Sequence, residues 1–255
     1  MTPFPPGPPH DGWRSRPKAL SLTSSEVHVW QASLDQSRSR IDDYLRSLSV
    51  DERERAARFH FDRDRDHFIV ARGVLRRILG LYLNREPASL SFQYSAHGKP
   101  LLAPAAHRDA ISFNLSHSDG IALYAMARDR AVGVDVEFIR SGPRSEQIAE
   151  RFFSPHEVAT LRALPITLQR YAFFLCWTRK EAYIKARGEG LSLPLDQFDV
   201  SLTPGEPAEL IGTRPDRLEA GRWSLRDLKP EAPGYAAAVA VEGGGWSLAL
   251  WSWPD

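Results

Sequence analysis

Apolar side chains recur at Phe68, Ala71, Val74, Leu75, Ile78 and Leu79, the spacing of one helix face, and predict a helix over 64–83. A second long helix is predicted from about residue 167 to Gly188, because Phe173, Phe174, Leu175 and Trp177 crowd its early turns. Gly188 and Gly190 stop it, and Pro194 forbids its continuation. Shorter helices are predicted over 36–48, from the capping box Ser49-Val50-Asp51-Glu52 to about residue 59, and from the box Ser154-Pro155-His156-Glu157. Alternating or β-branched runs predict strands over 26–30, 92–94, 111–115, 121–127, 132–136, 198–202, 222–228, 235–241 and 246–251. Helices followed by strands occur twice, each set around one long helix. Phe68-Ile69-Val70-Ala71-Arg72 loosely echoes Phe174-Leu175-Cys176-Trp177-Thr178, a hint of duplication. The class is α+β.

Polar residues inside these patterns carry the candidate chemistry. Trp177, Glu181 and Lys185 fall at i, i+4 and i+8 and share one helix face. The simplest reading is a Glu–Lys pair on a solvated face; the apolar flank favours Glu181 entering a protected site. In Val132-Gly133-Val134-Asp135-Val136-Glu137 the strand period of two turns Asp135 and Glu137 to one face. Two such carboxylates repel unless solvated, protonated or holding a cation, and with Glu181 they suit a hard divalent ion such as Mg²⁺. Phe113-Asn114-Leu115-Ser116-His117-Ser118 gathers hydroxyls, an amide and an imidazole at a strand end, with Lys99 in a Gly98-Lys99-Pro100 turn. These groups suit a phosphate-rich ligand, although no Gly-rich phosphate loop is present. Arg72 is unusual in lying within the apolar run that starts at Phe68.

The chain has 255 residues and a formal net charge of +1, which argues against a dominant nucleic-acid or anionic-membrane surface. Cys176 is the one cysteine, so an internal disulfide or multi-cysteine metal site is excluded. No run of about 18 apolar residues predicts a membrane span. The Pro-rich stretch 1–22 lacks an apolar signal core and reads as a flexible arm, with the cytoplasm as the expected compartment.

The pieces Gly98-Lys99-Pro100, Phe113 to Ser118, Gly133 to Glu137, Phe152-Phe153-Ser154, Trp177 to Lys185 and Gly188 to Asp196 occur in the order and spacing of the Sfp-type 4′-phosphopantetheinyl transferases, and so does Arg58-Phe59. The resemblance covers roughly residues 45–241. It implies two similar α+β halves in one chain, 23–128 and 129–255, in a pseudo-twofold fold with coenzyme A in the cleft between them. It implies an Mg-dependent enzyme that transfers 4′-phosphopantetheine from coenzyme A to a serine of an apo acyl or peptidyl carrier protein and releases adenosine 3′,5′-bisphosphate. By the resemblance Asp135, Glu137 and Glu181 are the Mg²⁺ ligands, while Lys185 and His117 meet the coenzyme A phosphates. Lys99, Pro100 and Ser116 lie along the nucleotide. Glu181, Lys185 and Glu157 form the catalytic set, with Glu181 the first choice of proton acceptor and Glu157 the second. Arg53 and Arg55 are nearest the 3′-phosphate contacts, for Glu52 stands where a relative has lysine. A monomer is expected, acting on a carrier protein and on neither nucleic acid nor membrane. A metal-dependent nuclease and a non-catalytic coenzyme A-binding module are the alternatives; near-zero net charge weighs against the first and the three carboxylates against the second.

Overall fold

A computed structural model describes residues 12–17, 20–96, 98–103, 111–140 and 145–254. In chain order the elements are β1 (Arg14–Ser15), β2 (Glu26–Ser33), α1 (Arg38–Ser47), α2 (Val50–Ala56), α3 (Asp62–Leu83), β3 (Phe92–Tyr94), β4 (Pro100–Leu102), β5 (Ile111–Ser118), β6 (Ile121–Arg128) and β7 (Val132–Phe138). They continue with α4 (Ser145–Phe152), α5 (Pro155–Ala163), α6 (Ile166–Arg187), β8 (Phe198–Val200), β9 (Leu210–Thr213), β10 (Trp223–Leu228), β11 (Tyr235–Glu242) and β12 (Ser247–Ser252). The class is mixed α+β, as the patterning predicts. The strands β1, β4 and β9 and the helix α4 have no counterpart among the predicted elements; β1, β4 and β9 run for two to four residues, too few to show a period. No helix of the described residues is long and apolar enough to cross a membrane.

The chain divides into two compact units, chiefly Trp13–Asp129 with Ser247–Asp255, and Arg130–Trp246. In the former, the sheet runs β1-β12-β2-β6-β5, and α1 and α3 pack over a core that includes Trp30, Tyr44, Val74, Leu75, Ile78 and Tyr124. Taking the halves in chain order put β12 in the C-terminal half, and here the structure differs. β12 pairs in parallel with β2, from Ser247↔Glu26 to Ser252↔Gln31, which supplies the ladder partners that edge of β2 would otherwise lack. Within the stretch read as an arm, Arg14 and Ser15 pair with Trp251 and Ser252; residues 1–11, 18 and 19 of it lie outside the described residues.

In the unit Arg130–Trp246 the sheet runs β10-β11-β7, and α6 lies across β7 and β11. Two buried cations fasten that helix. Arg179 is fully buried and donates to both oxygens of Asp227, at 2.8 and 2.6 Å, and to the Ser201 carbonyl. Lys180, also fully buried, donates to the Leu195 and Phe198 carbonyls at 2.7 and 2.6 Å and lies 2.8 Å from Glu157 Oε2. A charge taken from water demands such partners, so these contacts set the rotation of α6 about its axis.

Candidate active site

The rotation leaves one stripe of α6 partly open. Phe174, Trp177, Glu181 and Lys185 are half-buried, whereas most of their neighbours from Ala172 to Ala186 are buried. Trp177 stacks on Phe173 with ring centroids 6.1 Å apart and packs against Phe152 and Phe153, which forms the apolar flank expected beside Glu181.

Gly133 decides where that stripe meets β7. A Cβ there would lie 2.1 Å from the Ala182 carbonyl oxygen and 2.3 Å from the Ala186 nitrogen. Only a hydrogen fits, so the α6 backbone rests directly on the strand. Ala182 and Ala186 are the small residues, at i and i+4, that allow the approach. Glu181 and Lys185 precede them by one position each, and Asp135 lies two residues beyond Gly133 on the strand. Lys185 Nζ donates to Asp135 Oδ1 at 2.6 Å. The simplest expectation paired Lys185 with Glu181 along the helix; the structure gives the ammonium to the strand carboxylate instead. Asp135 is only 2% exposed and needs a compensating charge more than the half-buried Glu181 does. Burial first, then the charge of Asp135, push the Glu181 carboxyl up to about 7; Lys185 pulls the other way, and Glu137 adds a smaller push.

Crowded carboxylates, one of them held partly protonated near neutral pH, form a donor set that a hard divalent cation relieves. Among the described residues no group of three or more His, Cys, Asp or Glu side chains is placed to hold a metal ion. A cation bound by this set would have to complete its shell with water and ligand phosphates, as Mg²⁺ characteristically does.

Glu157 is fully buried. Its Oε2 accepts from the Ser154 backbone N–H at 2.8 Å and faces Lys180, while Oε1 accepts from the Val200 N–H at 2.8 Å. These contacts tie α5 to β8 and to Lys180 of α6.

The groups expected along a nucleotide lie in the unit containing Trp13–Asp129. Gly98 adopts φ +78, and the Ser95 hydroxyl and carbonyl bind the Lys99 and Gly98 N–H groups, closing the tight turn into Pro100 and β4. Burial lowers Lys99 to about 8. Ser116 and His117 are neighbours on β5 and so point to opposite faces: Ser116 is buried, and His117 is exposed on the face of Phe113 and Leu115. The groups gathered at this strand end are therefore divided between the two faces of β5.

A cleft of about 590 Å³ opens in the same unit, lined by Glu52, Arg55, Arg58, Phe59, Tyr94 and Gly98 among others. Arg55 is among its lining residues. Arg53 is exposed and is not among its lining residues, because it sits two positions from Arg55 and so on another side of α2. Arg58 takes its place; the i, i+3 spacing from Arg55 was the available signal. Glu52 is 1% exposed and binds Arg72 Nε at 2.8 Å and Arg76 Nε at 2.6 Å. Arg72 in turn donates to the Tyr94 hydroxyl at 3.0 Å. The carboxylate at this position is thus the counterion of two interior arginines, which accounts for Arg72 inside an apolar run.

Sequence comparison shows what the chain is similar to. The model of the 4′-phosphopantetheinyl transferase superfamily matches residues 131–240, and that of the 4′-phosphopantetheinyl transferase N-terminal region matches residues 29–128. The 4′-phosphopantetheinyl transferase HetI of Nostoc is 43% identical over 94% of this chain and 97% of its own. The 4′-phosphopantetheinyl transferase Sfp of Bacillus subtilis is 32% identical over 62% of this chain and 68% of its own. The human L-aminoadipate-semialdehyde dehydrogenase-phosphopantetheinyl transferase is 31% identical over 76% of this chain and 67% of its own.

Proposed function

We propose, from the premise that this chain belongs to the 4′-phosphopantetheinyl transferase family, that it moves the 4′-phosphopantetheine group of coenzyme A onto a serine of an apo acyl or peptidyl carrier protein. The observation that carries the reading is the meeting of Asp135 with Lys185, beside Glu181, where α6 rests on Gly133. Asp135, Glu137 and Glu181 would hold Mg²⁺, which when bound supplies positive charge to the pyrophosphate. The serine oxygen attacks the β-phosphorus. The bond from that phosphorus to the bridging oxygen breaks, and adenosine 3′,5′-bisphosphate leaves with the electron pair.

The chain's own groups align and neutralise, which is most of what phosphoryl transfer needs. Lys185 places an ammonium at the pyrophosphate. Glu181 takes the serine proton in this reading. Glu157, engaged with Lys180 and Val200, drops out of that role. Lys99, Pro100, Ser116 and His117 hold the nucleotide in this reading, with Arg55 and Arg58 toward the 3′-phosphate. Both family regions lie in one chain, so a cytoplasmic monomer completes the proposal. Apo carriers of fatty-acid, polyketide and peptide-synthetase type, incubated with coenzyme A, Mg²⁺ and the protein, are expected to gain one phosphopantetheine by mass spectrometry. No gain on any of the three would overturn the reading.

Lys99 acts on a contact already made before reaction, so its loss belongs in KM. Lys99→Ala is expected to raise KM for coenzyme A about 10–100-fold with kcat little changed. Because burial lowers the lysine to about 8, the wild-type KM should also climb as pH rises through that value, and the variant's should not. Steady-state kinetics from pH 7 to 9 test both; an unchanged KM in the variant removes Lys99 from the nucleotide.

A further inference from the structure

A cleft of about 540 Å³ opens beside the C-terminal end of α3, and the transferase reading makes no use of it. Three arginines are among its lining residues: Arg77 from α3, Arg85 from the turn that follows, and Arg16 just after β1. Trp253, beyond β12, supplies a half-buried aromatic wall, and Leu81 and Pro87 add apolar surface. The volume falls within the range of small-molecule sites.

The positive charge of the cleft is offset only in part. Glu86 is the acid on the lining, and none of the three arginines forms an ion pair with a carboxylate among the described residues. The carbonyl end of α3 contributes about half a negative charge, which offsets them only in part.

The cleft is also held in shape. Tyr44, 1% exposed, carries the Arg77 guanidinium 4.3 Å above its ring, and its hydroxyl accepts from Trp253 Nε1 at 3.1 Å. One interior tyrosine therefore sets an arginine and an indole at fixed spacing. Trp253 is pinned further by its backbone N–H on the Gln31 carbonyl, at 2.8 Å. At the other wall, a Cβ on Gly80 would lie 2.6 Å from the Arg85 carbonyl oxygen, and Asn84 takes φ +50, so the turn carrying Arg85 folds tightly onto the helix.

Guanidinium forks match phosphate oxygens in pairs, which a lysine cluster would not do, and an indole face takes a flat ring. We propose that this cleft is a second binding site, for a nucleoside diphosphate: the arginines take the phosphates and Trp253 takes the base. The site is separate from the groups assigned to the transfer reaction, so its test needs no turnover.

ADP is titrated into the full-length protein carrying ¹⁵N-tryptophan, and the Trp253 indole resonance, assigned with Trp253→Phe, is followed. A saturable shift is expected. Arg16→Ala/Arg85→Ala should raise the Kd read at that resonance at least tenfold, as two charge-assisted contacts are lost. Both side chains are exposed, so the melting temperature should hold. Arg55→Ala, in the other cleft, should leave this Kd unchanged. Inorganic pyrophosphate, which lacks the ring, should bind more weakly than ADP. An absent shift, an unchanged Kd in the double variant, or pyrophosphate matching ADP would each overturn the proposal.

Discussion

Glu181→Gln is expected to lower kcat about 100- to 1,000-fold while KM for coenzyme A stays within a few-fold. The substitution keeps the size of the side chain and removes the carboxylate that would both accept the proton and help to hold the cation. The same change should make the metal-free protein more stable above neutral pH. Burial and the charges of Asp135 and Glu137 raise the folded-state carboxyl from 4.5 to about 7. A carboxyl raised on folding contributes stability that is complete below its unfolded value and lost as pH climbs through its folded one. Wild type should therefore fall behind Glu181→Gln between pH 4.5 and about 7. By pH 8 the gap should reach roughly 1–3 kcal/mol. Steady-state kinetics with one apo carrier and thermal melts in chelator at pH 5 and 8 read both effects. Near-wild-type kcat would end the role of Glu181 in proton transfer. Equal melting temperatures at pH 8 would show that its carboxylate is not held at a cost.

Glu52→Ala is expected to be the most destabilising single change in the unit containing α3, at about 3–5 kcal/mol, because it leaves two interior cations with no carboxylate. Arg72 and Arg76 are 6% and 0% exposed. For a chain of this size the loss corresponds to a fall in Tm on the order of 10 °C. Glu52→Lys should be worse still, since it sets a third positive charge against the pair. Removing the cations as well, in Glu52→Ala/Arg72→Met/Arg76→Met, should recover most of the loss, since a buried ion cluster replaced by apolar groups is often neutral or better. Calorimetric melts of the three variants decide the matter. A Glu52→Ala protein that melts within 2 °C of wild type would mean the carboxylate is not the counterion the contacts imply.

The sequence by itself determined those features whose cause is local. Both capping boxes form, at Ser49 and Ser154, because their hydrogen bonds close within four residues. The α6 stripe of Trp177, Glu181 and Lys185 and the carboxylates of β7 follow from the helical and strand periods alone, and Gly188 ends the helix because it adopts φ +73 without a side-chain clash. Arg72 was legible as an anomaly, but its partner was not: Glu52 lies twenty residues away on another helix, and no periodicity links the two. The same limit hid the pairing of Lys185 with Asp135, the withdrawal of Glu157 onto Lys180 and Val200, and the place of β12 beside β2. Each is a choice among several possible partners for a charge or a strand edge, made by what lies nearby once the chain has folded. Desolvation made it for the charges, since a buried ion takes the partner that costs least to reach, and the open edge of β2 made it for the strand.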